Sequence, residues 1–110
     1  MKNEDNRFEL METRFHLKKK NVFVFKGIYS KNKMGDNQVV LSIDGKKIPL
    51  EMEVTEGVEI RRKYAKYPYP VNREYTFCGT LPETAEGRKW LEIYEYAGNV
   101  RRKLYRISLR

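Results

Sequence analysis

Apolar and polar residues alternate most regularly on the two sides of Asp44-Gly45. Every second residue of the flanking segments is apolar: Val39, Leu41, Ile43, Ile48, Leu50, Met52 and Val54. Asp-Gly is a favoured pair for a two-residue type I′ turn, because both of its residues take positive φ. Such a turn pairs Leu41 with Ile48 and Val39 with Leu50, which places the apolar side chains on one face. The pattern therefore predicts a β-hairpin over 39–54.

A second hairpin is predicted near the C-terminal end, with strands over Trp90–Tyr96 and Val100–Leu109 and a turn at Gly98-Asn99. This register pairs Glu95 with Arg102 and Ile93 with Leu104, and both are favourable cross-strand pairs. Successive side chains of a strand point to opposite faces. The basic run at 101–103 is therefore not expected to form one continuous patch.

Shorter apolar stretches predict further strands: Phe8–Leu17, Asn21–Ser30, Val58–Ala65 and Glu74–Leu81. The apolar run Val22–Phe25 indicates a strand that is buried on both faces, and Gly27 permits a bulge or a close backbone approach. The prolines of Tyr67–Pro70 predict an extended loop. Turns or loops are expected at 18–20 and 30–37, and a loop or a short helical turn at 82–87.

No segment sustains a helical periodicity, and the pattern gives about seven or eight short strands. We therefore predict an all-β fold, a single antiparallel β-sandwich of the immunoglobulin-like type, with a small β-barrel as the alternative. The 110 residues have the length of one domain, which we place at 7–110 after a flexible N-terminus at 1–6. Because 104–109 still resembles a strand, truncation from a longer chain stays open.

The cysteine count and the hydropathy pattern bear on the compartment. The single cysteine, Cys78, cannot form an intramolecular disulfide, which favours a reducing environment. No apolar run approaches the roughly 20 residues that a transmembrane helix needs, and the polar start at 1–6 does not resemble a signal peptide. We predict a cytoplasmic protein without a transmembrane segment.

Few residues of the chain suit catalysis. One cysteine and one histidine, Cys78 and His16, are too few for a zinc site, which takes about three or four such ligands. We expect Cys78 to be buried and inert and His16 to be exposed. Glu51 and Glu53 lie on the same face of a strand, and exposure of that face to solvent is enough to explain two carboxylates there. We therefore predict no catalytic residue, no metal site, no cofactor and no enzymatic activity of the chain by itself.

Cations and aromatic rings are concentrated between 61 and 70. The net charge of +8 favours anionic partners, although a basic soluble surface explains it equally well. Tyrosine rings can stack on bases or sugar rings while cations hold phosphates. The residues we select as a candidate binding site are Arg61, Arg62, Tyr64, Tyr67 and Tyr69. The alternative is an ordinary loop whose tyrosine rings pack on the rim of the sandwich.

The segment Val58–Lys63, which reads VEIRRK, and the segment Tyr75–Pro82, which reads YTFCGTLP, also carry a family resemblance. The chain resembles the N-terminal β-sandwich domain of some bacterial family-2 glycosyltransferases, where an arginine-led segment precedes a Cys-Gly-Phe-like strand. It departs from that pattern at Thr80, where the family has Phe, and at 63–70, which replaces an Asp-Val pair. The resemblance implies a non-catalytic domain beside a sugar-nucleotide-dependent transferase. The acidic catalytic motif of such enzymes is absent from the sequence.

Three functional hypotheses follow. The first is an accessory module of a bacterial glycosyltransferase that contacts the catalytic domain, a glycan, including an anionic one, or a partner chain. The second is a free-standing basic module that binds nucleic acid. The third is an assembly subunit that binds another protein through an exposed strand edge.

Overall fold

The structure, a computed structural model, describes residues 7–16, 22–29, 36–80 and 90–108. Within these ranges the elements are β1 (Phe8–His16), β2 (Val22–Tyr29), β3 (Gln38–Ile43), β4 (Lys46–Ile48), β5 (Glu51–Glu56), α1 (Val58–Lys63), β6 (Arg73–Thr80), β7 (Trp90–Ala97) and β8 (Val100–Ser108). The predictions for 1–6, 18–20, 30–35 and 82–87 lie outside the described residues.

The strands form two antiparallel four-stranded sheets that pack face to face. One sheet has the order β1-β2-β6-β5 and the other the order β4-β3-β7-β8. These orders are those of an immunoglobulin-like sandwich of the constant type, with one extra edge strand on the second sheet. The predicted β-sandwich is confirmed. The alternative of a small barrel is wrong, because within the described residues no strand ladder joins the two sheets.

Aromatic rings from the first sheet fill the space between the sheets. Phe25 stacks on Phe77 with ring centroids 5.1 Å apart, and Phe8 meets Phe77 edge to face at 5.6 Å. Leu41, Leu91 and Ile93 of the second sheet close the core from the other side, and all are fully buried. The prediction that 22–25 is buried on both faces is wrong. Its valines are only half-buried, because an antiparallel sheet packs mainly through one face.

Gly27 lies at a close approach of β1 to β2, as predicted. A Cβ at Gly27 would clash with Cζ of Phe8 and with the carbonyl oxygen of Glu9. The bulge is on the neighbouring strand, because Leu10 pairs with Gly27 while Met11 is left without a partner in the ladder. Phe8 can therefore enter the core only where β2 has no side chain.

The first predicted hairpin is correct at its turn and wrong beyond it. Asp44 and Gly45 have φ of 48° and 86°, as a type I′ turn requires, and Leu41 pairs with Ile48. The predicted pairing of Val39 with Leu50 does not form, because β4 ends at Ile48. Proline has no N–H with which to continue a ladder. After Pro49 the chain crosses to the other sheet, where β5 pairs with β6.

The C-terminal hairpin also has the predicted turn, and its first pairs are confirmed. Glu95 lies opposite Arg102 as expected. Further along, Ile93 lies opposite Tyr105 and not opposite Leu104. The register shifts there because Leu104 is an extra residue in β8, which makes a bulge.

The predicted strand over Val58–Ala65 is wrong, because the segment forms helix α1. Gly57 has φ of 122°, which breaks the extended backbone after β5. Glu59 lies in the first turn and three cations lie in the last turn, where each charge suits the helix dipole. With six residues the helix is too short to show a sustained apolar period.

One charged side chain is buried between the sheets. Glu95 is 2 % exposed, and its carboxylate accepts hydrogen bonds from the backbone N–H of Phe8 at 3.0 Å and from the amide of Asn37 at 2.6 Å. Arg102 donates to the same carboxylate at 2.8 Å and to the carbonyl oxygen of Phe8 at 2.7 Å. This cluster joins the start of β1 to the edge of the opposite sheet.

Replacing Glu95 by Ala should lower the free energy of unfolding by about 1–3 kcal/mol, because it leaves the buried Phe8 N–H without an acceptor and removes one of the two acceptors of Arg102. Arg14→Ala removes an exposed ion pair with Glu12 and should cost less than about 1 kcal/mol. Urea unfolding of both variants measures the difference. Equal effects of the two substitutions would contradict a structural role of Glu95.

Candidate functional site

Helix α1 and the loop after it cover the outer face of the sheet β1-β2-β6-β5. Ile60 and Tyr64 of this segment and Val71 pack on Ile28 of β2, and all four are buried. Ile60 and Tyr64 are four residues apart and so lie on one side of the helical turn. This small second core holds the tyrosine-rich loop in place against the sheet.

Glu74 of β6, in the sheet beneath α1, binds the end of the helix and the residue after it, and so anchors the loop. Its carboxylate is 4 % exposed and accepts hydrogen bonds from the Tyr64 hydroxyl and from Nζ of Lys63 at 2.7 Å. Burial alone would raise the pKa of Glu74, but the two hydrogen bonds and the charge of Lys63 outweigh it and hold the pKa below its usual value. Burial and the bond to Glu74 raise the pKa of Tyr64, so its hydroxyl remains a donor. No local pattern of residues indicates this contact.

Tyr67 and Tyr69 contact the first part of β1, beside its bulge. The Tyr69 hydroxyl donates to Oε1 of Glu9 at 3.2 Å, and the Tyr67 hydroxyl donates to Sδ of Met11 at 3.5 Å. The Tyr67 ring meets the rings of both neighbouring tyrosines edge to face, at 5.7 Å from Tyr64 and 5.5 Å from Tyr69. Burial and the nearby carboxylate of Glu9 raise the pKa of both phenols. They are neutral donors at physiological pH.

These side chains surround an open pocket of about 350 Å³, which we call the tyrosine pocket. Its lining includes Arg61, Tyr64, Tyr67, Tyr69 and the two prolines of the loop, Pro68 and Pro70. Four of the five residues selected from the sequence are thus brought together. The fifth, Arg62, is exposed on α1 and does not line the pocket. In the part of the chain that the structure describes, no carboxylate pairs with Arg61.

A second group of cations and rings lies on the outer face of the sheet β4-β3-β7-β8. We call it the cation–ring face. Arg106 lies 4.0 Å from the ring centre of Trp90, Arg101 lies 4.6 Å from that of Tyr94, and Lys47 lies 5.8 Å from that of Tyr96. These separations are within the range of cation–π attraction. None of the candidate residues selected from the sequence lies on this face.

Glu92 is the carboxylate at the centre of the cation–ring face. It accepts a hydrogen bond from the Tyr94 hydroxyl at 2.8 Å and lies 3.4–3.5 Å from the charged groups of Arg106 and Lys103. The Tyr94 bond and these cations hold the pKa of Glu92 below its usual value. One carboxylate thus faces four cations, if Arg101 and Lys47 are counted with the two bound to it. The face keeps a positive surplus.

The alternation predicted for 101–103 is confirmed and explains why the face was missed. Arg102 turns inward to Glu95, while Arg101 and Lys103 lie opposite Tyr96 and Tyr94. The hairpin register alone could have indicated those two cations. Arg106 and Lys47 could not be placed, because their positions depend on the bulge at Leu104 and on the pairing of β3 with β7.

Of the two candidates Cys78 and His16, the side chain of His16, which was predicted to be exposed, lies outside the described residues. Cys78 is a half-buried free thiol and not the fully buried one that was predicted, because it lies on the outer face of β6 opposite Val24 and Glu51. The described residues contain no group of three His, Cys, Asp or Glu side chains placed to hold a metal ion. In the same ranges no helix has the length and the apolar character needed to cross a membrane.

We compared the chain with protein-family models, with curated proteins and with solved structures, and none of the three comparisons finds a match.

The Glu74 anchor should make stability depend on pH. Because the folded-state pKa lies below the usual 4.5, the carboxylate contributes stability that is present above that value and is lost as the pH falls through the folded pKa. Glu74→Gln should cost about 1–3 kcal/mol at neutral pH, and its difference from the wild type should shrink below pH 4.5. Unfolding curves at a series of pH values measure this. Glu51→Gln, at an exposed position, is the control, and a constant Glu74→Gln difference would contradict the anchor.

Proposed function

We propose that the chain is a non-catalytic accessory module that binds a glycan in the tyrosine pocket and serves a bacterial glycosyltransferase. The resemblance noted for 58–82 implies such a domain with a β-sandwich fold, and the chain folds as a β-sandwich. The observation that carries the proposal is the convergence of three tyrosines and Arg61 on one pocket.

The chemistry of the tyrosine pocket suits a sugar ligand. Tyrosine combines a large apolar ring face with a polar tip, which matches the apolar and hydroxyl-bearing sides of a sugar ring. The volume of the tyrosine pocket is at the small end of the range for ligand pockets. Arg61 at its border can bind a carboxylate or phosphate through two parallel hydrogen bonds. We therefore favour an oligosaccharide that carries an acidic group.

The test is binding to an array of bacterial oligosaccharides, both neutral and acidic, followed by calorimetry with the tightest. Tyr67→Ala/Tyr69→Ala should weaken binding at least about tenfold, or about 1.4 kcal/mol, and Arg61→Ala should weaken binding of acidic glycans only. Tyr94→Ala/Tyr96→Ala, with the same chemical change on the cation–ring face, should bind as the wild type does. Binding that survives the Tyr67→Ala/Tyr69→Ala change in a folded protein would contradict the pocket.

A second candidate function, binding of single-stranded nucleic acid, is favoured by the cation–ring face. Its three rings, Trp90, Tyr94 and Tyr96, lie on one face of β7 because they are separated by four and by two residues, and a cation lies over each ring. Bases can stack on aromatic rings and on guanidinium planes, while neighbouring cations hold the phosphates. The face would then act as a flat platform, as the sheets of several RNA-binding modules do.

Fluorescence anisotropy with labelled poly(dT) and poly(U) measures this second function. The logarithm of the affinity should fall linearly with that of the salt concentration, by about 0.7 for each phosphate neutralised. Lys103→Gln should reduce that slope by about 0.7 and weaken both polymers equally. Tyr94→Ala/Tyr96→Ala should abolish stacking, whereas Tyr67→Ala/Tyr69→Ala is the matched control. Binding that does not respond to salt would contradict this function.

A further inference from the structure

Strand β5 is the outermost strand of its sheet, and it is exposed on both of its faces. All six of its residues are exposed. Met52 and Val54 point to the side of the core, yet they are 46 % and 44 % exposed, whereas their cross-strand partners Phe77 and Tyr75 are buried. Two neighbouring apolar side chains on an edge strand form a ready contact surface.

The opposite sheet is too short to cover β5. Strand β4, its edge on that side, has three residues and is followed at once by Pro49. Edge strands expose unpaired backbone N–H and C=O groups, which proteins blunt with bulges, prolines or short length. β1 has the bulge at Met11, β4 is short, and β8 has the bulge at Leu104, although its residues 100–103 are regularly paired. β5 has six regularly paired residues, with neither a bulge nor a proline.

The charges on β5 indicate what it can pair with. It carries Glu51, Glu53 and Glu56 among its six residues. Glu56 binds Arg73 at 3.0 Å, but in the described part of the chain Glu51 and Glu53 have no cation beside them. A partner strand of alternating basic and apolar residues would complement both the carboxylates and the apolar pair.

The chain itself contains such a strand at an edge. β8 is the outermost strand of the second sheet, and it carries Arg101, Arg102, Lys103 and Arg106 together with apolar residues such as Leu104 and Ile107. Arg102 is engaged with Glu95, and Lys103 and Arg106 share Glu92. Arg101 lies over the ring of Tyr94. β8 therefore presents the charge that β5 lacks.

We propose that β5 of one copy of the chain pairs with β8 of a second copy, so that the sheet β1-β2-β6-β5 of one continues into the sheet β8-β7-β3-β4 of the next. When Met52 and Val54 lie on the side of Leu104 and Ile107, strand alternation places Glu51 and Glu53 on the side of the outward cations. Pairing of β5 with β5 would instead bring glutamates together, which is unfavourable.

The two edges lie on opposite sides of the sandwich, so the pairing continues from copy to copy. β5 follows β4 after only two residues and so lies on the side of β4. β8 lies on the side of β1, because Arg102 binds the carbonyl oxygen of Phe8. After one such pairing, the first copy still has a free β8 and the second copy still has a free β5. Such a head-to-tail contact builds open chains and not closed dimers.

Light scattering of nuclease-treated protein over a wide concentration range tests the proposal. The wild type should rise steadily above 13.2 kDa and past twice that mass. Glu51→Arg/Glu53→Arg should remain at 13.2 kDa, and so should Arg101→Glu/Lys103→Glu. An equal mixture of these two variants should associate again, because each restores the complement of the other at both edges. Glu59→Arg, on exposed α1, should associate as the wild type does.

Three results would overturn the proposal. They are a wild type that stays at 13.2 kDa at every concentration, growth that stops at the dimer, and a mixture of the two folded variants that stays monomeric. Circular dichroism establishes that both variants are folded. None of the substituted residues lines the tyrosine pocket, so glycan binding should be the same in monomers and in chains, and its absence would not affect this test.

Discussion

The carboxylate of Glu95 has to be neutralised inside the sandwich, and the position of several elements depends on how this is done. An ionised group away from water is tolerated only with a charge partner and with its remaining acceptor sites filled. Here Arg102 supplies the charge, and Asn37 and the backbone of Phe8 supply the other donors. These groups come from three separate parts of the chain. The cluster therefore fixes β1 relative to β7 and β8, although β1 belongs to the other sheet.

The position of Phe8 carries this constraint to the outer surface. Its backbone is held by Glu95 and Arg102, while its ring fills the space left by the absent side chain of Gly27. The strand returns to register by the bulge at Met11. The bulge and Glu9 then meet Tyr67 and Tyr69. One wall of the tyrosine pocket is thus positioned by contacts that begin in the core.

The features that could be predicted from the sequence are those set by local chemistry. Asp44-Gly45 and Gly98-Asn99 determine their own turns, and strand alternation places residues near a turn correctly. The errors arise where distant contacts decide. The crossing at Pro49 and the helix at 58–63 depend on contacts with strands that are distant in the sequence, and the bulge at Leu104 depends on how β8 pairs with β7. The tyrosines and Arg61 could be selected by composition, but Glu74, their buried anchor, has no local pattern.

Strand alternation also divides the charge of the molecule. In 101–103, alternation directs Arg102 to the ion pair with the buried Glu95 and places Arg101 and Lys103 on the outer face. In β5 it places Glu51 and Glu53 on one side and leaves Met52 and Val54 on the other. The net charge of +8 is therefore not spread evenly over the surface. The face and edge at β8 are basic, and the edge at β5 is acidic. Because the two edges have opposite charge and lie on opposite sides, the two ends of the sandwich differ, and one copy can contact the next only head to tail. A symmetric distribution of the same charges would not impose this orientation.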